Sequence, residues 1–253
     1  MLCALGATLA TLRALNLPVS ILLGVVMLAL IRPVQRRATQ LVARRVFARL
    51  GAHMDAARFD DADALIEDLR GVYAYSAAAT ELLRVQEGTL LVLRGRFHEA
   101  ARLFESIDRR RIKKELLPWM LNNLAWALAR AGDGAQAVAT ARESMAASDD
   151  AGDRGVRASE DLRACQLGTL GTALVVAGEP AEAIAPLEQA LARGGSNRLQ
   201  TSRAFFLGEA LRALAREDEA RAAWRRAAEE CPEHELARAA QQRLDAPAPP
   251  YRS

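Results

Sequence analysis

An alanine recurs along this chain at Ala62, Ala100, Ala137, Ala183 and Ala220, at spacings of 38, 37, 46 and 37 residues. Nothing else in the sequence restricts the fold as strongly. A period of this size belongs to one supersecondary unit that is repeated and stacked. The stretches that carry it are ARFDDADALIEDL (57–69), GRFHEAARLFESI (95–107), GDGAQAVATARES (132–144), GEPAEAIAPLEQA (178–190) and AREDEARAAWRRA (215–227). Twelve residues before the alanine stands a small residue in four of the five: Gly88, Ala125, Gly171 and Gly208. Four residues after it come Ile66, Phe104, Ala141, Leu187 and Trp224. This register describes two antiparallel helices per repeat. Small residues let the backbones cross closely, and a larger side chain one turn on fills the space beside the crossing. Each pair still has an uncovered apolar face, so neighbours must stack to bury it.

Composition agrees with helices. Aromatic residues are only 5% of the chain and hydrophobic residues 51%. The abundant residues are the strong helix formers Ala, Leu, Arg and Glu, not the aromatic and β-branched residues that sheets draw on. The expected class is all-α, an α-solenoid of stacked helix pairs. Gly95, Gly132 and Gly178 stand where a helix-ending left-handed residue is needed.

At these positions the chain resembles the tetratricopeptide repeat (TPR) family. The fourth repeat carries Leu167, Leu170, Gly171, Leu174, Gly178, Ala183, Leu187 and Ala190 at signature places. The fifth adds Leu207, Gly208, Leu211, Ala220, Trp224, Ala227 and the repeat-ending Pro232. The resemblance runs over roughly residues 35–245 and speaks to fold far more than to function. Four departures are visible. Leu50 stands where the first repeat needs a small residue, and Ala141 replaces a large side chain in the third. Pro186 falls inside an expected helix and should kink it. The 46-residue step contains SDDAGDRGVR (148–157), which reads as a surface loop. HELARAAQQRL (234–244) resembles a closing helix, and the tail 247–253 is expected to be disordered.

Ahead of the repeats, Ala14 to Ile31 reads ALNLPVSILLGVVMLALI, without a charge. As a helix it spans about 27 Å, the short end of what a bilayer requires. A cleaved signal peptide would need a basic start and a small-x-small exit, and the chain has MLCALG and LIRPVQRR. A buried helix of the fold would show a polar face. One retained transmembrane helix is therefore the expectation, with residues 1–32 as the anchor. Arg32, Arg36, Arg37, Arg44 and Arg45 follow it and suit anionic headgroups. They place the carboxy-terminal side in the cytoplasm, although a hairpin turning near Asn16 and Pro18 fits as well. Residues 33–56 form a basic juxtamembrane helix that also suits the first helix of repeat one, and residues 57–246 the repeat domain.

The whole chain carries +3 at pH 7, and residues 1–50 hold seven arginines and no acid, which leaves residues 51–253 at −4. An acidic body offers no counterion-release term to nucleic acid, so none is expected as a partner. Cys3, Cys165 and Cys231 are odd in number and far apart, fitting buried thiols in a reducing compartment. His53, His98 and His234 make no HExxH and read as solvated. GDGAQA (132–137) imitates a dinucleotide loop but lacks the preceding strand. RRRIKK (109–114) reads as a solvated inter-repeat turn, or secondarily as a site for an acidic partner. No catalytic motif, metal set or cofactor is expected.

The family resemblance points instead to a concave groove along the first helices. By register the third repeat presents Trp119, Asn122, Asn123, Trp126 and Arg130, and the fifth Phe205, Glu209 and Arg212. These are either peptide anchors or core between repeats. The expected function is a membrane-tethered, non-catalytic scaffold that binds a protein or peptide. The alternatives are a homo-oligomerising solenoid and an exported, periplasmic assembly factor.

Overall fold

The computed structural model describes residues 45–46, 48–54, 56, 58–73, 76–152 and 159–246. The apolar run, Arg32, Arg36, Arg37, Arg44 and the tail lie outside these. Arg45 is exposed on a helical segment. Among the described residues no helix is long and apolar enough to cross a membrane, and no strand occurs. The chain divides into two bodies between Leu65 and Ile66.

In the first body, residues 48–54 are helical and α1 (Phe59–Tyr73) begins. Leu50, Met54 and Ala62 are buried. His53 is buried too, against the expectation of a solvated side chain, and its Nδ1 lies 3.4 Å from Asp61.

The second body takes up α1 from Ile66 onward. It continues with α2 (Ala77–Leu93), α3 (Phe97–Glu105), a 3-10 turn (Arg109–Arg111), α4 (Leu117–Ala131), α5 (Gly134–Gly152), α6 (Glu160–Val176), α7 (Pro180–Ala192), α8 (Asn197–Ala213), α9 (Glu217–Glu230) and α10 (Glu235–Asp245). Helices α2/α3, α4/α5, α6/α7 and α8/α9 are the four hairpins of repeats two to five. The first helices α2, α4, α6 and α8 also pack on one another in order, with α10 against α8. They form an inner layer, with the second helices outside it.

The crossing register holds in detail. A methyl placed on Gly88 would meet the Phe104 ring at 2.6 Å, one on Gly171 would meet Leu187 Cδ2 at 2.9 Å, and one on Gly208 would meet Trp224 Cδ1 at 2.5 Å. Phe104, Leu187 and Trp224 are almost wholly buried. The third repeat has two intermediate residues at these places, Ala125 and Ala141, both buried. Shrinking the filler and enlarging the crossing residue are thus one compensated change. Gly95, Gly132 and Gly178 take positive φ at the hairpin turns, and Ala215 takes the equivalent place in repeat five at φ 57°.

Two further expectations need correction. Residues 148–152 of the 148–157 stretch are helix rather than loop, because α5 continues through Gly152, and its residues 153–157 lie outside the described residues. The buried Gln166 amide holds α5 there, donating to Ser144 Oγ at 2.9 Å and Ser148 Oγ at 2.7 Å. Helix α7 runs from Pro180 to Ala192 with Pro186 inside it, as the sequence expects. His234, half-buried, is not a solvated side chain but the N-cap of α10, its Nδ1 accepting from the Leu236 amide at 3.2 Å. His98 is exposed. The GDGAQA glycines have structural duties. Gly132 ends α4 in the left-handed region, and a methyl on Gly134 would strike the Ala177 backbone. In RRRIKK, Arg109 pairs with Glu143 and Arg110 and Arg111 with Asp108, while Ile112 is buried and pins the turn.

Candidate functional site

The inner layer lines a groove of about 420 Å³, a size that accommodates a small ligand or a few peptide residues. Trp119, Asn122, Asn123, Trp126 and Arg130 all lie in its wall, as the sequence register expects. They share one face of α4 because their spacings of three and four return to the same side of a helix.

Trp126 meets Phe206 edge-to-face at 6.2 Å, so its indole is both wall and inter-repeat packing. Trp119 is 38% exposed. Asn122 is buried, and its Oδ1 has no hydrogen-bond partner. Asn123 donates to Thr89 Oγ1 at 3.1 Å, tying α4 to α2. Arg130 pairs with Glu235 at 2.6 Å and stacks over Phe97, 4.5 Å from the ring centroid. That ion pair joins the third repeat to the start of the closing helix within the groove wall.

Phe205, Glu209 and Arg212 are not in the groove wall. Phe205 is buried edge-to-face on Phe206, Glu209 accepts from Arg243 of α10 at 2.9 Å, and Arg212 lies 5.6 Å from the Trp224 ring. Helix α8 supplies Arg198, Leu199, Ser202 and Arg203 instead, and α6 supplies Cys165, Gly168 and Thr169. The groove-facing positions migrate from 119–130 in repeat three, to 165–169 in repeat four, to 198–203 in repeat five. Successive repeats therefore present progressively earlier turns of their first helices. Register alone carries the wrong turn of α8 into the site. Arg198 and Ser202 could have been found on the stripe of Phe205 and Glu209, one and two turns upstream.

The chemistry is apolar at the rim and cationic within. Of the four large apolar side chains that are exposed among the described residues, Leu93, Trp119 and Leu199 line this groove. Arg94, Arg130, Arg198 and Arg203 face it against Glu233 and Glu235. Glu233 accepts from the Cys231 thiol at 2.9 Å, which pulls its carboxyl below the usual range. Burial pushes the Cys165 thiol up, so it stays protonated and neutral. Burial likewise pushes His234 below its ordinary 6.5. Among the described residues no cluster of His, Cys, Asp or Glu has the makings of a metal site.

No protein-family model matches the chain, and no curated protein matches it either. Solved structures do. PlcR of Bacillus thuringiensis, in complex with the peptide PapR7 and DNA, is similar at TM-score 0.60 and 13% identity, over 81% of this chain and 74% of that one. A putative kinesin light chain of Podospora anserina with nearly identical TPR-like repeats is similar at TM-score 0.52 and 18% identity, over 81% and 97%. A variant of that same protein gives 0.53 and 18%, over 79% and 96%. At these identities the likeness concerns the fold, and that fold is a TPR-like helical repeat.

Proposed function

We propose that this protein is a membrane-tethered, non-catalytic scaffold whose inner groove binds an extended peptide segment of a partner. The observation that carries the reading is the convergence of Leu93, Trp119 and Leu199 on one groove that also holds the unpartnered Asn122 Oδ1. Exposed apolar side chains gathered in one place mark a binding surface. A buried acceptor beside them suits a peptide N–H, since leaving it unmade costs about 1–3 kcal/mol. That the related PlcR fold was solved with a peptide supports the same reading.

The tether rests on Ala14–Ile31 and the arginines after it, which keep the repeats on the cytoplasmic side. An acidic repeat body argues against nucleic acid as the ligand.

The groove is tested by retention of a pooled library of acetylated apolar tetrapeptides on the full chain in detergent. Trp119→Ala plus Leu199→Ser, at exposed positions, should leave thermal unfolding unchanged and cut retention about tenfold, the loss of one or two interface anchors. Unchanged retention rejects the groove. The tether is tested by fractionation: removing residues 1–32 should release the chain from membranes, and a carboxy-terminal reporter should be active in the cytoplasm. An active periplasmic reporter overturns that orientation.

A further inference from the structure

The turn between repeats two and three gathers the densest run of cations among the described residues. Arg109, Arg110, Arg111, Lys113 and Lys114 follow one another with a single interruption, and all five are exposed. The turn is held in shape. Asp108 caps it, its carboxylate accepting from the Arg110 amide at 3.2 Å, and Ile112 is buried beneath it. The Lys113 carbonyl accepts from the amides of Leu116 at 2.9 Å and Leu117 at 3.1 Å, which joins the turn to the start of α4. With Ile112 drawn inward, the cations on either side of it are left to solvent.

Local carboxylates answer only part of this charge. Arg109 pairs with Glu143 at 2.8 Å, and Asp108 is shared by Arg110 and Arg111 at 3.1 Å each. No described carboxylate pairs with Lys113 or Lys114, and Glu115 beside them is exposed. Set against Asp108, Glu115 and Glu143, the five cations leave this turn at +2, within residues 51–253 that together carry −4. No large apolar side chain between residues 106 and 117 is exposed. A protein partner is gripped by an apolar core inside a polar rim, and this patch offers the rim without the core. Its charge suits a broad anionic surface, and an anchor at Ala14–Ile31 keeps one beside the chain.

Building on the membrane tether proposed above, we infer that the 109–114 turn is a docking patch that lays the repeat body against anionic lipid headgroups. Arg110, Arg111, Lys113 and Lys114 make the contact, and buried Ile112 keeps the turn in the shape that presents them. Each cation brought to such a surface favours docking about fivefold. The attraction fades within a Debye length, so salt reverses it. The tether limits how far the body stands from the bilayer, and the patch selects which side of it faces the lipid.

Lys113 and Lys114 are the only lysines of the chain, so acetic anhydride reports on this turn directly. The full chain is placed in nanodiscs of phosphatidylcholine alone or of phosphatidylcholine with phosphatidylglycerol, and acetylation of both lysines is followed by mass spectrometry. Anionic discs should slow acetylation about fivefold relative to neutral ones, and sodium chloride at about 0.5 M should abolish the difference. Arg110→Gln with Arg111→Gln removes two docking cations and keeps both reporters. At exposed positions it should leave thermal unfolding unchanged and cut the slowing to about twofold or less. Should that pair not fold, Arg110→Gln alone, where the side chain is 91% exposed, should give an intermediate slowing. Equal acetylation in the two discs, with the chain retained in both, overturns the patch and leaves the tether standing. Slowing that survives the salt or the Gln variants does the same. Slowing by added polyglutamate in neutral discs, with none from phosphatidylglycerol, assigns the turn to an acidic protein and overturns the lipid reading. A chain retained by neither disc overturns both tether and patch.

Discussion

Single residues set the hairpin geometry. Ala215 sits in the left-handed region at φ 57°, where repeats two, three and four have glycine. A Cβ there crowds the carbonyl, at about 1–2 kcal/mol, while glycine loses more entropy on ordering. Ala215→Gly should therefore stabilise the protein by about 0.5–1 kcal/mol in chemical denaturation; a lower midpoint would contradict this account of the turn. Gly171 makes the opposite case. Leu187 is wholly buried against it and has nowhere to yield, so Gly171→Ala should cost about 1–3 kcal/mol by overpacking. The third repeat tests whether crossing and filler are one variable: Ala141→Leu should destabilise, and adding Ala125→Gly should restore much of the loss, giving a coupling measurable in a double-mutant cycle. These sites are legible in sequence because each answers a local steric demand that recurs at fixed spacing. Arg203 is not. It is one of many arginines, and only its carbonyl partners and its unpartnered Nη2 distinguish it.

At the level of helices, the sequence shows which segments pair but not where polar side chains extend them. Ser148, Asp149 and Asp150 look like loop because serine and aspartate compete locally for the backbone. Helix α5 nonetheless runs to Gly152. The reason lies 18 residues away: buried Gln166 spans Ser144 and Ser148, one turn apart on α5, while the Ser144 hydroxyl donates to the Pro118 carbonyl at 2.7 Å. Gln166→Leu removes the donor, leaving the buried Ser148 hydroxyl without it and the Ser144 hydroxyl with Pro118 alone. It should cost about 1–3 kcal/mol and should raise amide exchange selectively in residues 148–152. Exchange unchanged there would mean that α5 holds its last turns without Gln166. The groove failed to be read fully for a related reason. Equivalent register positions, such as Asn122 and Phe205, are equivalent within a hairpin, yet one lines the cavity and the other is buried beside it. Hairpin pairing is a local periodicity, whereas cavity lining depends on how far each repeat has turned from its neighbour.

Across the repeat body, the closing segment links groove and stability through one histidine. Neutral His234 caps α10 by accepting the Leu236 amide, and Glu235 beside it reaches back to Arg130. Burial is the largest influence on His234 and lowers its proton affinity; Glu235 opposes it next, Arg198 and Arg130 act with burial, and Glu233 opposes least, so the net direction is downward. The folded state thus binds this proton less readily than the unfolded chain, whose histidine titrates near the ordinary 6.5. The stabilisation is complete above that pH and is lost as pH falls through it toward the lower folded value. The lowered carboxyls Glu99, Asp108, Glu219 and Glu233 start from ordinary values of 4.5 or below, so their contributions fade only in more acidic solution. Between pH 7 and pH 5 the loss of stability should accordingly be dominated by His234. His234→Asn keeps a capping side chain, because asparagine is a favoured N-cap, and removes the titration. Unfolding midpoints of wild type should fall across that window while those of the variant change much less. Parallel slopes would show that the closing helix is capped without regard to the charge on His234, and that acid acts on the solenoid elsewhere.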